Sequence, residues 1–325
     1  MTVLDSFNMR GVLLDSHKQF EKGLALAKGV AVEGCDKLVL LGMGGSALPG
    51  DLLNFCFGLS IRVSRDYDCP PEVDGKTLVL ACSYSGNTEE TLSAAKQAFD
   101  AGGKLVCIAT GGKLKKFADE FGLPFVELPS GIQPRCATGY FFSSLTKVLA
   151  NSGFLDLKDD ELKALSEWLG SKDFDETGRK IAVKIKGSIP VFYSSSEWWP
   201  IARVCKIKIN ENSKQPAFYN VFPELNHNEM VGFTNPVARF TAVFLRNPSD
   251  DERVKRRMEI TRSLLNEKGV NSIDYQVIGE SALQTCFSTL LFFDWASYHL
   301  ALENGVDPTP VEMVEGLKKK LASKP

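Results

Sequence analysis

The chain has 325 residues, 44% of them hydrophobic and 24% charged, so it can bury substantial cores and is expected to form two domains rather than one. A formal net charge of −2 leaves no excess with which to neutralise a nucleic acid, and the dense cationic runs at 113–116, 253–257 and 318–320 read as solvated helix faces. No apolar run reaches the roughly eighteen residues of a membrane span and no secretory pattern opens the chain, so a soluble, cytoplasmic protein without nucleic-acid or membrane partners is expected.

In chain order, a helix is expected over residues 15–32, and strands near 38–42, 61–65, 77–82, 104–109 and 125–128 then alternate with helices. Several of the strands are short apolar runs without polar alternation, the pattern of a parallel sheet covered by helices on both faces. Such doubly wound α/β units collect ligands at the carboxyl ends of their strands. Turns at 44–46, 83–88 and 110–112 all fall there.

Two of these turns suit an anion. Cys82-Ser83-Tyr84-Ser85-Gly86-Asn87-Thr88 runs from a strand into a helical pattern, where the first backbone N–H groups lack internal partners and carry the positive end of the helix dipole. Ser83, Ser85 and Thr88 add hydroxyls. Ser or Asn also caps helices that bind nothing, so this turn alone leaves both readings open. The earlier turn Gly42-Met43-Gly44-Gly45-Ser46 shifts the balance, because its glycines permit close backbone approach and Ser46 supplies a further hydroxyl. Neither turn carries a Walker lysine or a G-x-G-x-x-G pattern, so a small phosphate ester fits better than a nucleoside triphosphate or a dinucleotide.

A helix over 138–151 closes this unit, and the boundary is placed near residue 151, dividing 1–150 from 151–325. A helix at 158–169 and a loop follow. The pattern then restarts as a diverged second copy: strand 189–193, hydroxyl turn Ser194-Ser195-Ser196, helix 197–210, strands near 239–245 and 273–278 around a charged helix 251–268, and a long helix 281–303. Thr309-Pro310-Val311-Glu312 reads as a capping box opening a terminal helix. Eight cysteines without a C-x-x-C pair read as reduced, buried hydrophobes, and three scattered histidines make a metal site unexpected.

Three groups outside the turns could carry chemistry. Gln133-Pro134-Arg135 follows the last strand of the first unit, either meeting an anion beside the phosphate turns or forming a surface salt bridge. Asn210-Glu211-Asn212 puts a carboxylate at a helix end, against the dipole. Pro223-Glu224-Leu225-Asn226-His227-Asn228-Glu229 concentrates titratable groups between Phe222 and Phe233, although a lone histidine is more often structural.

Taken together and in this order, the two turns, Pro134-Arg135, the Asn-Glu-Asn and Pro-Glu-Leu-Asn-His segments and Asn304 to Glu312 resemble the bifunctional phosphoglucose/phosphomannose isomerase family over nearly the whole chain. The serine turn marks only sugar isomerase (SIS) domains, whereas the other two segments are more specific. The resemblance implies two doubly wound SIS-type domains with parallel sheets flanked by helices, and a homodimer. It implies interconversion of glucose 6-phosphate and/or mannose 6-phosphate with fructose 6-phosphate, without metal or organic cofactor. Gly45, Ser46, Ser83, Ser85 and Thr88 would hold the phosphate of the sugar, Glu211 would move the proton between C1 and C2, and Arg135 would steady the enediolate. His227 would open the ring, reaching the site from the partner subunit.

The residue types fit that chemistry independently. One carboxylate can serve two adjacent carbons, a guanidinium stabilises an enediolate without losing its own proton, and imidazole exchanges protons near neutral pH. The chain departs from the family where a threonine or glutamine, and a lysine, are common: it carries Phe292-Phe293-Asp294-Trp295 and Tyr298-His299, which puts the preferred epimer in question. A non-catalytic SIS sensor of sugar phosphates and an enzyme for another phosphosugar, amino sugars included, stay open as alternatives.

Overall fold

The computed structural model describes residues 4–322. Its contacts divide the chain into two compact units. The first comprises Leu14–Lys172 and Gly279–Phe287; the second comprises Asp173–Ile278 with the described residues before Leu14 and after Phe287. The break at residues 172 and 173 lies beyond the boundary expected near 151, because the helix Asp159–Gly170 packs within the first unit. There Ser166 Oγ donates to the carbonyl of His17 at 2.7 Å, and a Cβ on Gly170 would stand 2.8 Å from the His17 ring.

The first unit holds a five-stranded parallel sheet of β1 (Lys37–Gly42), β2 (Arg62–Ser64), β3 (Thr77–Cys82), β4 (Lys104–Ala109) and β5 (Phe125–Glu127), ordered β2-β1-β3-β4-β5. The apolar runs became strands because both faces are covered. All six residues of β3 are buried, and Val39, Val79, Leu105 and Cys107 pack with Ala94, Ala98 and Leu114 of the flanking helices. Each buried aliphatic side chain of this kind contributes about 1.5–3 kcal/mol relative to exposure. The helix expected over 15–32 is shorter, a 3₁₀ turn Ser16–Lys18 followed by Gln19–Leu26. Asn151 Nδ2 ends it by donating to the carbonyls of Ala27, Lys28 and Val30 at 3.3, 3.3 and 2.9 Å.

The second unit repeats the plan with β6 (Ile189–Ser195), β7 (Phe218–Phe222), β8 (Phe240–Arg246) and β9 (Asn271–Gln276), all parallel and ordered β7-β6-β8-β9. Both sheets place their first strand beside their third. In each, the strand order reverses there, the place where doubly wound folds bind ligands at the carboxyl ends of their strands. Edge strand β7 and the helix Asp175–Ile185 were not expected from the sequence. The capping box at Thr309 does not form: the terminal helix begins at Glu312, and the Thr309 N–H donates instead to Asp307 Oδ1 at 2.9 Å. Among the described residues no helix is long and apolar enough to cross a membrane.

Candidate active site

Because β1 and β3 are neighbours with Gly42 paired to Cys82, the turns that follow them leave the sheet side by side. The backbone N–H of Tyr84 donates to Ser46 Oγ at 3.0 Å, which ties the two turns together. Ser46 and Ser83 are buried, and Ser83 Oγ donates to Thr88 Oγ1 at 2.9 Å. Exposed Ser85 accepts from the N–H of Asn87 at 3.2 Å. The third turn joins them at Gly86, whose φ is +65° and where a Cβ would stand 1.9 Å from the carbonyl oxygen of Gly111.

Asn87 does not cap the helix that this turn opens. The helix Glu89–Asp100 has Thr88 at its N-cap with no side-chain cap bond, and Asn87 Oδ1 instead accepts from Lys113 N–H at 3.1 Å, in the first turn of the next helix, Gly112–Phe121. Glu89 and Glu90 complement the dipole of the first helix.

Arg135 joins the same cluster. It sits in the 3₁₀ turn Pro134–Cys136 and is 1% exposed, so the surface salt bridge considered for it is not what forms. A Cβ on Gly45 would stand 2.9 Å from the carbonyl of Pro134 and 3.0 Å from the N atom of Arg135. Only glycine lets the 3₁₀ turn lie this close to the first turn of the helix Gly44–Phe57. Gly45, Ser46, Ser83, Ser85, Thr88 and Arg135 thus all stand in one unit, at the reversal point of one sheet.

Glu211 and His227 belong to the other unit. Glu211 is half-buried in the last turn of the helix Trp199–Ser213. Its conflict with the dipole is offset by Lys214, whose φ is +54° and whose ammonium donates to the carbonyls of Glu211, Asn212 and Pro308 at 2.6, 3.3 and 2.9 Å. Exposed His227 ends the 3₁₀ turn Glu224–His227. Its neighbours are pinned: Asn226 Nδ2 donates to Thr261 Oγ1 at 2.8 Å, Asn228 Nδ2 to Glu224 Oε1 at 2.7 Å, and Tyr193 OH to Glu229 Oε1 at 2.7 Å.

Sequence reasoning passed over Lys208, which lies one turn before Glu211 and pairs in the interior with Asp294 at 2.7 Å. The available signal was a lysine between Ile207 and Ile209, matched by an aspartate inside an aromatic run. His299 is engaged elsewhere, 2.6 Å from Asp175 Oδ1 and stacked on Trp295, as expected of a packed helix residue. At the reversal point of the second sheet, Ser195 Oγ donates to buried Asp250 Oδ1 at 2.6 Å, and burial pushes that carboxyl above its usual pKa. Among the described residues no three His, Cys, Asp or Glu side chains stand close enough to hold a metal ion.

Residues 174–321 match the family described as the bacterial phospho-glucose isomerase C-terminal SIS domain. A bifunctional phosphoglucose/phosphomannose isomerase from Caldicellulosiruptor bescii is 40% identical over 324 residues, covering 94% of this chain and 95% of the relative. The chain belongs to the bifunctional phosphoglucose/phosphomannose isomerase family. The resemblance to that family over nearly the whole chain is thereby borne out. A D-glucosamine-6-phosphate 4-epimerase from Sulfolobus acidocaldarius is also similar, 39% identical over 209 residues, 61% of this chain and 64% of that one. Among solved structures, a hypothetical protein from Thermus thermophilus superposes with a TM-score of 0.71 at 19% identity, covering 96% of this chain and 90% of the other. Glucosamine-6-phosphate deaminase from Thermotoga maritima superposes with a TM-score of 0.67 at 15% identity, over 92% and 96%. These two likenesses show the fold that this member of the isomerase family shares.

Proposed function

We propose that the chain is an aldose–ketose isomerase that interconverts glucose 6-phosphate and/or mannose 6-phosphate with fructose 6-phosphate through an enediolate. The observation that carries this reading, beside family membership, is the Tyr84–Ser46 hydrogen bond, which joins the two hydroxyl turns into one cradle with Arg135 packed against Gly45. In this reading Gly45, Ser46, Ser83, Ser85 and Thr88 hold the phosphate, and that remote grip orients the reacting carbons.

Glu211 takes the proton from one carbon and returns it to its neighbour. Arg135 stabilises the oxygen on which charge builds, and His227 exchanges protons with the ring oxygen and the anomeric hydroxyl. The exposure of His227 supports its serving the site of a second copy in a homodimer. The reaction requires no metal or organic cofactor in this reading, and the enzyme works in the cytoplasm.

Chelator-treated protein incubated with fructose 6-phosphate should form glucose 6-phosphate, mannose 6-phosphate or both, quantified separately over time. Binding without turnover would favour the silent sensor instead. One observation favours a second reading: the similar 4-epimerase acts, by its name, on an amino-sugar phosphate. Conversion of glucosamine 6-phosphate in place of fructose 6-phosphate would select that reading.

A further inference from the structure

The helix that carries Glu211 is locked to the long helix Ala282–Glu303 by polar groups buried in an otherwise apolar contact. Lys208 Nζ stands 2.7 Å from Asp294 Oδ1, with the two side chains 2% and 12% exposed. One turn on, Asn212 Nδ2 donates to Ser297 Oγ at 2.9 Å, and Ser213 Oγ donates to the carbonyl of Ser297 at 2.7 Å. Ser297 Oγ donates in turn to the carbonyl of Asp294 at 2.9 Å. Around these groups the long helix presents buried Phe292, Phe293, Ala296 and Leu300.

Stability alone does not call for such a seam. Well-packed apolar residues of equal volume in place of a buried ion pair are often as stable or more so, whereas the pair is satisfied in one geometry only. An apolar face would tolerate a small rotation of one helix on the other. Glu211 lies between the two anchored residues, Lys208 and Asn212. At a side-chain radius of about 5–6 Å, a rotation of about 20° would carry its carboxylate about 2 Å, and a misplacement of about 1 Å can cost about a hundredfold in rate.

We propose that Lys208 and Asp294 are positioning residues: their ion pair, with the Asn212–Ser297 hydrogen bond, fixes the rotation of the Trp199–Ser213 helix and so aims the Glu211 carboxylate. This rests on the reading of Glu211 as the base. It also gives Asp294, an aspartate inside the aromatic run Phe292 to Trp295, a task in this chain.

The test compares the parent, the double variant Lys208→Met with Asp294→Leu, the single variant Ser297→Ala, and Glu211→Gln. Each is assayed with glucose 6-phosphate, unlabelled and deuterated at C2, and melted by calorimetry. The double variant should keep its Tm within a few degrees and its KM within about twofold, lose about tenfold or more in kcat, and show a larger C2 isotope effect because the misaimed base slows proton transfer. Ser297→Ala should do the same more mildly, and it decides the matter if the double variant does not fold. Parental kcat and isotope effect in the folded variants, with Glu211→Gln inactive, would overturn the positioning role alone. An active Glu211→Gln would overturn the base assignment and this proposal with it.

Discussion

Two serines in one turn are bonded differently, and that difference sorts their effects. Ser83 is buried and its hydroxyl is engaged with Thr88, whereas Ser85 is exposed and its hydroxyl accepts from the N–H of Asn87. Replacing both with alanine should weaken fructose 6-phosphate binding by about tenfold or more, since hydrogen bonds to a charged group contribute about 1.5–3 kcal/mol each. Isothermal titration of the double variant checks this, and parental affinity would move the phosphate elsewhere. The hydroxyls themselves were legible in the sequence, as was Arg135. The part played by Asn87 was not: its partner, the N–H of Lys113, is fixed only once the third turn folds against Gly86.

At the scale of elements, what could be read was whatever is buried on both faces. β1, β3 and β4 announce themselves as unbroken apolar runs, and their observed bounds agree with the expected ones to within a residue. β7 was missed because it is a five-residue edge strand, exposed or half-buried until Phe222, whose sequence Phe-Tyr-Asn-Val-Phe gives no clear period. The helix Asp175–Ile185 was missed because charged residues and Gly178 dilute its apolar stripe. Gly178 has a tertiary reason that no local rule supplies, since a Cβ there would stand 2.7 Å from Trp295 Cβ and 2.8 Å from the N atom of Ala296. Alanine at this site should therefore lower the Tm by several degrees despite its better helix propensity, because backbone on the facing helix cannot yield. Thermal denaturation decides it; a raised Tm would mean that the helices are free to separate.

For the whole molecule, the proposed homodimer places His227 at the site of a second chain. Mixing the inactive variants Glu211→Gln and His227→Ala, with unfolding and refolding to exchange subunits, separates the possibilities. If His227 serves the partner's site, half of the randomly assembled molecules carry one intact site each, and activity should return to about a quarter of the parental rate. If it serves its own chain, the mixture should stay inactive.

The Ser195–Asp250 contact has a consequence for how the duplicated fold divides its labour. The turns after the first and third strands of the first sheet carry hydroxyls and no carboxylate, while the second sheet has an acid bonded at the equivalent place. A carboxylate fixed there by a neighbouring hydroxyl repels a negatively charged ligand instead of receiving one. A phosphate ester offered to the protein is therefore expected at the first sheet and not at the second.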